Sequence, residues 1–237
     1  MKYLFALLLL CLCACNHKKS EITSTATSPP ISATSAKKVA ANADPLADYM
    51  ATYKGPVWRD RFNGEQYPLP DSIGGKPASF YLRNPKVSPL AKALYTSRFR
   101  PNDSDSTTQL LALATTDNSQ IRPFYRWCLD FTISISDGAL GEYPGEPALT
   151  YAIKFPQEFF AYMDKDSTGE RYGRWVESIA YSGLRNYKAT ALAPQRTIAS
   201  AMTRQCLACP AQTVGRINTF AKDVAGFAQN NQLYLND

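Results

Sequence analysis

The chain has 237 residues, 45% of them apolar and 12% aromatic, with a formal net charge of +6. Five of the 26 basic residues and one of the 20 acidic residues precede Asp44, so the remainder carries 21 basic against 19 acidic side chains. That near-neutrality excludes the concentrated basic surface of a nucleic-acid binder, and the sole histidine, His17, leaves residues 44–237 without Ser-His-Asp or Cys-His chemistry or a His-containing zinc site.

Met1-Lys2 supplies a short positive start, Tyr3 to Leu12 is an apolar run, and Leu12-Cys13-Ala14-Cys15 follows directly. The run is too short for a spanning helix, which needs about twenty apolar residues, and has the order of a secretion signal. The closing tetrapeptide resembles the lipobox of bacterial lipoproteins, with Cys13 where Ala or Ser is more usual. The resemblance implies cleavage before Cys15, diacylglycerol on its sulfur and a further acyl chain, such as palmitate, on its amine. Asn16 stands where an Asp favours inner-membrane retention, so the expected location is the outer membrane, facing the periplasm. An ordinary signal peptide ending near Ala14 is the alternative.

Residues 16–43 are Ser, Thr, Ala, Pro and Lys with little to bury, a disordered tether reaching roughly 30 Å as a flexible coil. Its Lys18, Lys19, Lys37 and Lys38 suit anionic headgroups. The expected organisation is a signal at 1–14, a lipidated tether at 15–43 and one domain at 44–237.

Asp44-Pro45 reads as a cap and first turn of a helix through Tyr53. Residues 55–85 read as proline- and glycine-rich loop, with a short strand at Ser79 to Leu82. Ser88-Pro89 starts a helix reaching Phe99, and Asn102 to Ser106 reads as polar loop. Thr107 to Thr116 is helical, and Pro123 opens a helix in which Phe124, Cys128, Phe131 and Ile135 recur at helical spacing. Thr132 to Ser136 also alternates like a strand, and Gly138 ends the segment. Glu146 to Phe155, Pro156 to Met163, Ser167 to Leu184, Pro194 to Leu207 and Pro210 to Gln229 follow as striped segments. The fold class is mainly α: seven to nine helices in a compact or weakly solenoidal stack, with room for one short strand pair and no repeat of fixed period.

Cys11 and Cys13 would leave with the signal and Cys15 would be acylated, so Cys128, Cys206 and Cys209 remain. Pairing Cys128 with either of the others closes a loop of about eighty residues, worth roughly 4.5 kcal/mol in the chain-entropy picture. A local Cys206–Cys209 bridge constrains far less. Cys206-Leu207-Ala208-Cys209 also has redox spacing, but it falls at a helix end and not at the activating N-terminus, which favours a structural disulfide.

Asp164, Asp166, Thr168 and Gly169 resemble the first half of an EF-hand calcium loop, but its twelfth position, which needs a bidentate carboxylate, is Trp175. The competing reading is a capping box, Ser167 with Glu170. Glu177-Ser178 is similar to the Glu-Ser pair of lytic transglycosylases, which would make Glu177 a general acid on glycan. The Gly-Leu-Met-Gln run that accompanies it there is missing.

Aromatic and arginine residues recur together: Phe124, Tyr125 and Trp127 beside Arg122 and Arg126; Phe159, Phe160 and Tyr162; then Tyr172, Trp175, Tyr181 and Tyr187 with Arg171, Arg174 and Arg185. Most belong in a core. The pairs Phe124/Tyr125 and Phe159/Phe160 point in different directions on a helix, which leaves some for a surface, and Tyr, Trp and Arg are the interface hot-spot types. The expected function is a membrane-anchored lipoprotein whose helical domain binds another envelope protein through Tyr172, Arg174, Trp175 and Tyr181, in a toxin-immunity or assembly role. The expected partners are the bilayer, through acylated Cys15, and that protein, with no cofactor and no nucleic acid. The alternatives are a carboxylate-dependent cell-wall glycan enzyme using Glu177 and a small-ligand carrier.

Overall fold

The computed structural model describes residues 52–185 and 193–233. The signal, Cys15, the tether, the Asp44 cap and Tyr187 lie outside the described residues.

The fold is mainly helical, with two short hairpins ahead of nine α-helices among the described residues. Strands β1 (Val57–Arg59) and β2 (Gln66–Pro68) pair antiparallel with Trp58 opposite Tyr67. Strands β3 (Ser72–Ile73) and β4 (Lys76–Pro77) pair with Ile73 opposite Lys76. Between them Gly74 and Gly75 both take positive φ, +59° and +79°, as a two-residue hairpin turn requires. Gly74 has a second reason to be glycine: a Cβ there would lie 2.5 Å from Cβ of Pro123, so the turn can sit hard against the next long helix.

The strand expected at Ser79–Leu82 is instead helix α1 (Ala78–Arg83). Tyr81 decides this from a distance. Its ring stacks on Phe124 at 4.9 Å and its hydroxyl donates to the Ile73 carbonyl at 2.8 Å. Helix α2 (Pro89–Tyr95) starts as the Ser88-Pro89 pair predicts, with Ser88 Oγ accepting from the Leu90 amide, but stops at Tyr95, short of Phe99. Helix α3 (Asp105–Ala112) runs into a 3-10 turn at Leu113–Thr115.

Helix α4 (Arg122–Ile135) is the centre of the domain, and the strand-like alternation at its end is resolved as helix. It is buried on nearly every side, Tyr125 as well as Phe124, so the expectation that one of that pair reaches the surface is overturned. Its aromatic side chains at three- and four-residue spacing make a rail: Phe124 to Trp127 at 5.7 Å, Trp127 to Phe131 at 5.4 Å, and Phe131 to Trp58 of the first hairpin at 5.0 Å.

Helices α5 (Gly145–Lys154) and α6 (Pro156–Met163) follow. Phe159 and Phe160 are both buried, a second correction to the paired-aromatic expectation. Helix α7 (Glu170–Ser178) continues into a π-helical turn at Ile179–Gly183. That wide turn meets the start of α5 backbone to backbone. A Cβ on Gly145 would lie 2.3 Å from the Ser178 carbonyl, and one on Gly183 would lie 2.7 Å from the Gly145 carbonyl. Helices α8 (Ala193–Gln205) and α9 (Ala211–Asn230) close the fold, joined by a loop carrying the Cys206–Cys209 disulfide. Cys128 is not a disulfide partner: its thiol is free and fully enclosed within α4, and that burial pushes its pKa up. No helix of the described residues is long and apolar enough to cross a membrane.

Candidate functional site

Helix α7 carries most of the residues that the sequence singles out, and it divides them between core and surface. Trp175 is fully buried, edge-on to Tyr151 at 5.9 Å, and its indole N–H donates to Asp130 at 2.7 Å. It is a core residue and cannot be an interface anchor. Tyr172 is also turned inward in part: it packs against Phe220 at 6.1 Å and donates to Asp223 of α9 at 2.8 Å. Arg174 and Tyr181 remain. The side chain of Arg174 is 41% exposed and Tyr181 is 43% exposed.

Those two line a groove of about 370 Å³ together with Glu177, Ser178, Asp137 and Gly141. The α7 periodicity places Arg174, Glu177, Ser178 and Tyr181 on one face, and the loop after α4 forms the opposite wall. Gly141 lies beside the Tyr181 ring, at a distance where a Cβ would make ordinary van der Waals contact with it. Within this groove Arg174 Nε and Ser178 Oγ are shielded from water and have no hydrogen-bond partner. Arg174 Nη1 reaches only to Glu170, one turn back, at 3.7 Å. Unmet buried donors cost about 1–3 kcal/mol each, so the groove holds polar capacity that the fold itself does not use.

Glu177 shares the groove with a second acid, Asp137, but both side chains are exposed. General-acid chemistry on a glycosidic bond needs a desolvated carboxyl that keeps its proton, and that desolvation is missing at Glu177.

The calcium-like loop is built differently from a cation cage. Asp164 pairs with the Arg216 guanidinium at 2.6 and 2.9 Å. Asp166 accepts from the Arg171 amide at 2.7 Å and from the Thr168 hydroxyl at 2.7 Å, which holds its carboxyl low, at about 2. Asp166 therefore does the capping expected of Ser167, and the N-cap position is Gly169 at φ +77°. No group of three His, Cys, Asp or Glu side chains placed to hold a metal ion exists among the described residues.

A second cleft, of about 530 Å³, opens between the Gly74-Gly75 turn and α4. Its walls include Arg126, Asp130 and Trp127 of α4, Tyr162 of α6, Lys165 and Arg171. Arg126 Nη1 donates to Glu158 at 2.9 Å and to the Tyr151 hydroxyl at 3.0 Å; Arg122 binds the other Glu158 oxygen at 2.9 Å. Asp130 accepts from Tyr162 at 2.6 Å, from Arg171 Nε at 3.2 Å and from Trp175. Both guanidiniums lie over the Tyr162 ring, Arg126 at 4.0 Å and Arg171 at 4.5 Å from its centroid. Removal from water, then the Asp130 charge, pushes the Tyr162 hydroxyl well above the ordinary phenol range.

This network was missed in the sequence, although a signal was there. Arg122, Arg126 and Asp130 recur every four residues, a charged stripe on a helix whose other positions are almost all apolar. Such a stripe must face either water or partners inside the fold. The partners, Glu158 and Arg171, are supplied from 32 or more residues away. No protein-family model, no curated protein and no solved structure matches this chain.

Proposed function

We propose that this is a lipid-anchored envelope protein, held by acylated Cys15 in the outer membrane, whose helical domain binds another protein in the periplasm without catalysis. The reading is supported most directly by the groove beside α7. There Arg174 Nε and Ser178 Oγ lack partners within the fold, next to a Tyr181 ring that is nearly half exposed. A partner segment laid in the groove would cover the ring and the exposed part of the Arg174 side chain, and Tyr and Arg at the centre of a contact are the residue types that dominate binding energy. Tethering keeps the domain at high local concentration near the membrane, which suits a toxin-immunity or assembly role.

The test is crosslinking and mass spectrometry on the full chain in native membranes, with and without Arg174→Ala and Tyr181→Ala. The reading expects one dominant partner crosslinked beside α7 and lost in both variants. Release of soluble products from cell-wall glycan by the purified chain, abolished by Glu177→Gln, would replace it with the enzyme reading. Retention at the membrane is tested separately: Cys15→Ser should move the protein to the soluble fraction.

A further inference from the structure

The cleft between the Gly74-Gly75 turn and α4 is not used by the groove reading, and its charges do not balance. Its lining carries three basic side chains, Arg126, Arg171 and Lys165, against one acid, Asp130; Glu158, which Arg126 shares with Arg122, stands behind the lining, and Asp166 accepts from the Arg171 amide. Asp130 and Glu158 are each committed to three donors of the fold. Arg126 is 5% exposed, yet its Nε has no partner. A guanidinium has five N–H donors, and the bonds described above use Nη1 of Arg126 and Nε and Nη1 of Arg171, which also donates to the Tyr162 carbonyl at 3.2 Å. Each therefore keeps donor capacity, and stacking on Tyr162 fixes both planes in advance. Prior fixing lowers the entropy lost when a ligand binds. The buried apolar side chains Leu69, Ile73 and Trp127 contribute to the wall, and the cleft is within the size range of small-molecule sites.

We propose that this cleft binds the oxyanion head of a small organic acid, a carboxylate or a phosphate ester, between Arg126, Arg171 and Lys165, with its apolar body against Trp127 and Leu69. The Arg126 and Arg171 guanidiniums supply the hydrogen bonds, and Lys165, exposed at the mouth, adds attraction at longer range.

The full chain in detergent is titrated by calorimetry with phenyl phosphate, benzoate and the neutral benzamide at constant ionic strength. The proposal expects saturable one-to-one binding of at least one anion by about 1 mM and none of benzamide. The stronger of the two anions identifies the head group. Lys165→Gln, a surface change that leaves the core alone, should weaken binding about threefold, and Arg171→Gln about tenfold. Arg174→Ala and Tyr181→Ala, which act in the other groove, should leave it unchanged. Absence of saturation with both anions, equal binding of benzamide, or undiminished affinity in Lys165→Gln overturns the proposal.

Discussion

Oδ1 of Asp130 accepts the Trp175 indole N–H at 2.7 Å, and this bond ties the central helix α4 to α7, the helix that lends one arginine to each of the two recesses. Oδ2 of the same carboxylate takes Tyr162 and Arg171. Replacing it would strand a largely buried guanidinium as well as an indole N–H. Asp130→Ala should lower the unfolding free energy by about 3 kcal/mol, read from the urea midpoint. The exposed Lys154–Asp117 pair, 2.8 Å apart, should leave that midpoint in place when broken.

Trp175 and Tyr181 are the sharpest contrast among the aromatic residues of this region. Trp175→Ala removes a fully buried indole and should cost about 4 kcal/mol. Tyr181→Ala should change stability by no more than about 0.5 kcal/mol while removing partner capture. Thermal melts of the two variants alongside a pulldown separate the roles.

Gly145 and Gly183 approach too closely for any side chain, and the Gly145 amide donates to Ser182 Oγ at 3.1 Å. Gly145→Ala should cost about 3 kcal/mol and pull the π-helical turn out of place, moving Tyr181 with it. Denaturation measures the first effect and loss of partner binding the second.

The Cys206–Cys209 bridge closes a loop too small to constrain the unfolded chain strongly. Converting both to Ser should cost about 2 kcal/mol in the chain-entropy picture. A thiol reagent should leave Cys128 unlabelled in the native protein and label it at the rate of global unfolding, since its thiol is enclosed and held protonated by burial.

Asp166 sets an acid dependence. Its carboxyl is depressed to about 2, chiefly by the Arg171 amide and then by the Thr168 hydroxyl. In the unfolded chain it titrates near the ordinary value of about 3.9. The native state therefore holds this proton less tightly, so the contribution is complete above pH 4 and disappears as pH falls towards 2. Asp166→Ala should be less stable than the parent at pH 7, with the difference closing between pH 4 and pH 2 in parallel denaturation curves.

Local signals served well where they were local. Ser88-Pro89 marked the start of α2, Pro156 the start of α6, and the spacing of Phe124, Cys128, Phe131 and Ile135 marked α4. They failed where a distant contact decided the outcome. The six residues of α1 follow the stacking of Tyr81 on Phe124, and the cap of α7 comes from Asp166 because Gly169 can turn left-handed. Position 175 read as an interface residue because Trp, Tyr and Arg, the hot-spot types, recur together around it. Its inward direction follows from sharing a face with Val176 and Ile179, a stripe that the charged neighbours obscured. The cleft was the least legible feature, because Asp130 and Arg171 meet across 41 residues.

Site-specific incorporation of a photo-crosslinking amino acid at position 181, with exposed Lys222 as the control position, tests the binding account most directly in living cells. The account predicts a single dominant protein adduct from position 181, absent from position 222 and lost when Arg174→Ala is added. Adducts of equal pattern from both positions, or none from position 181, would contradict it.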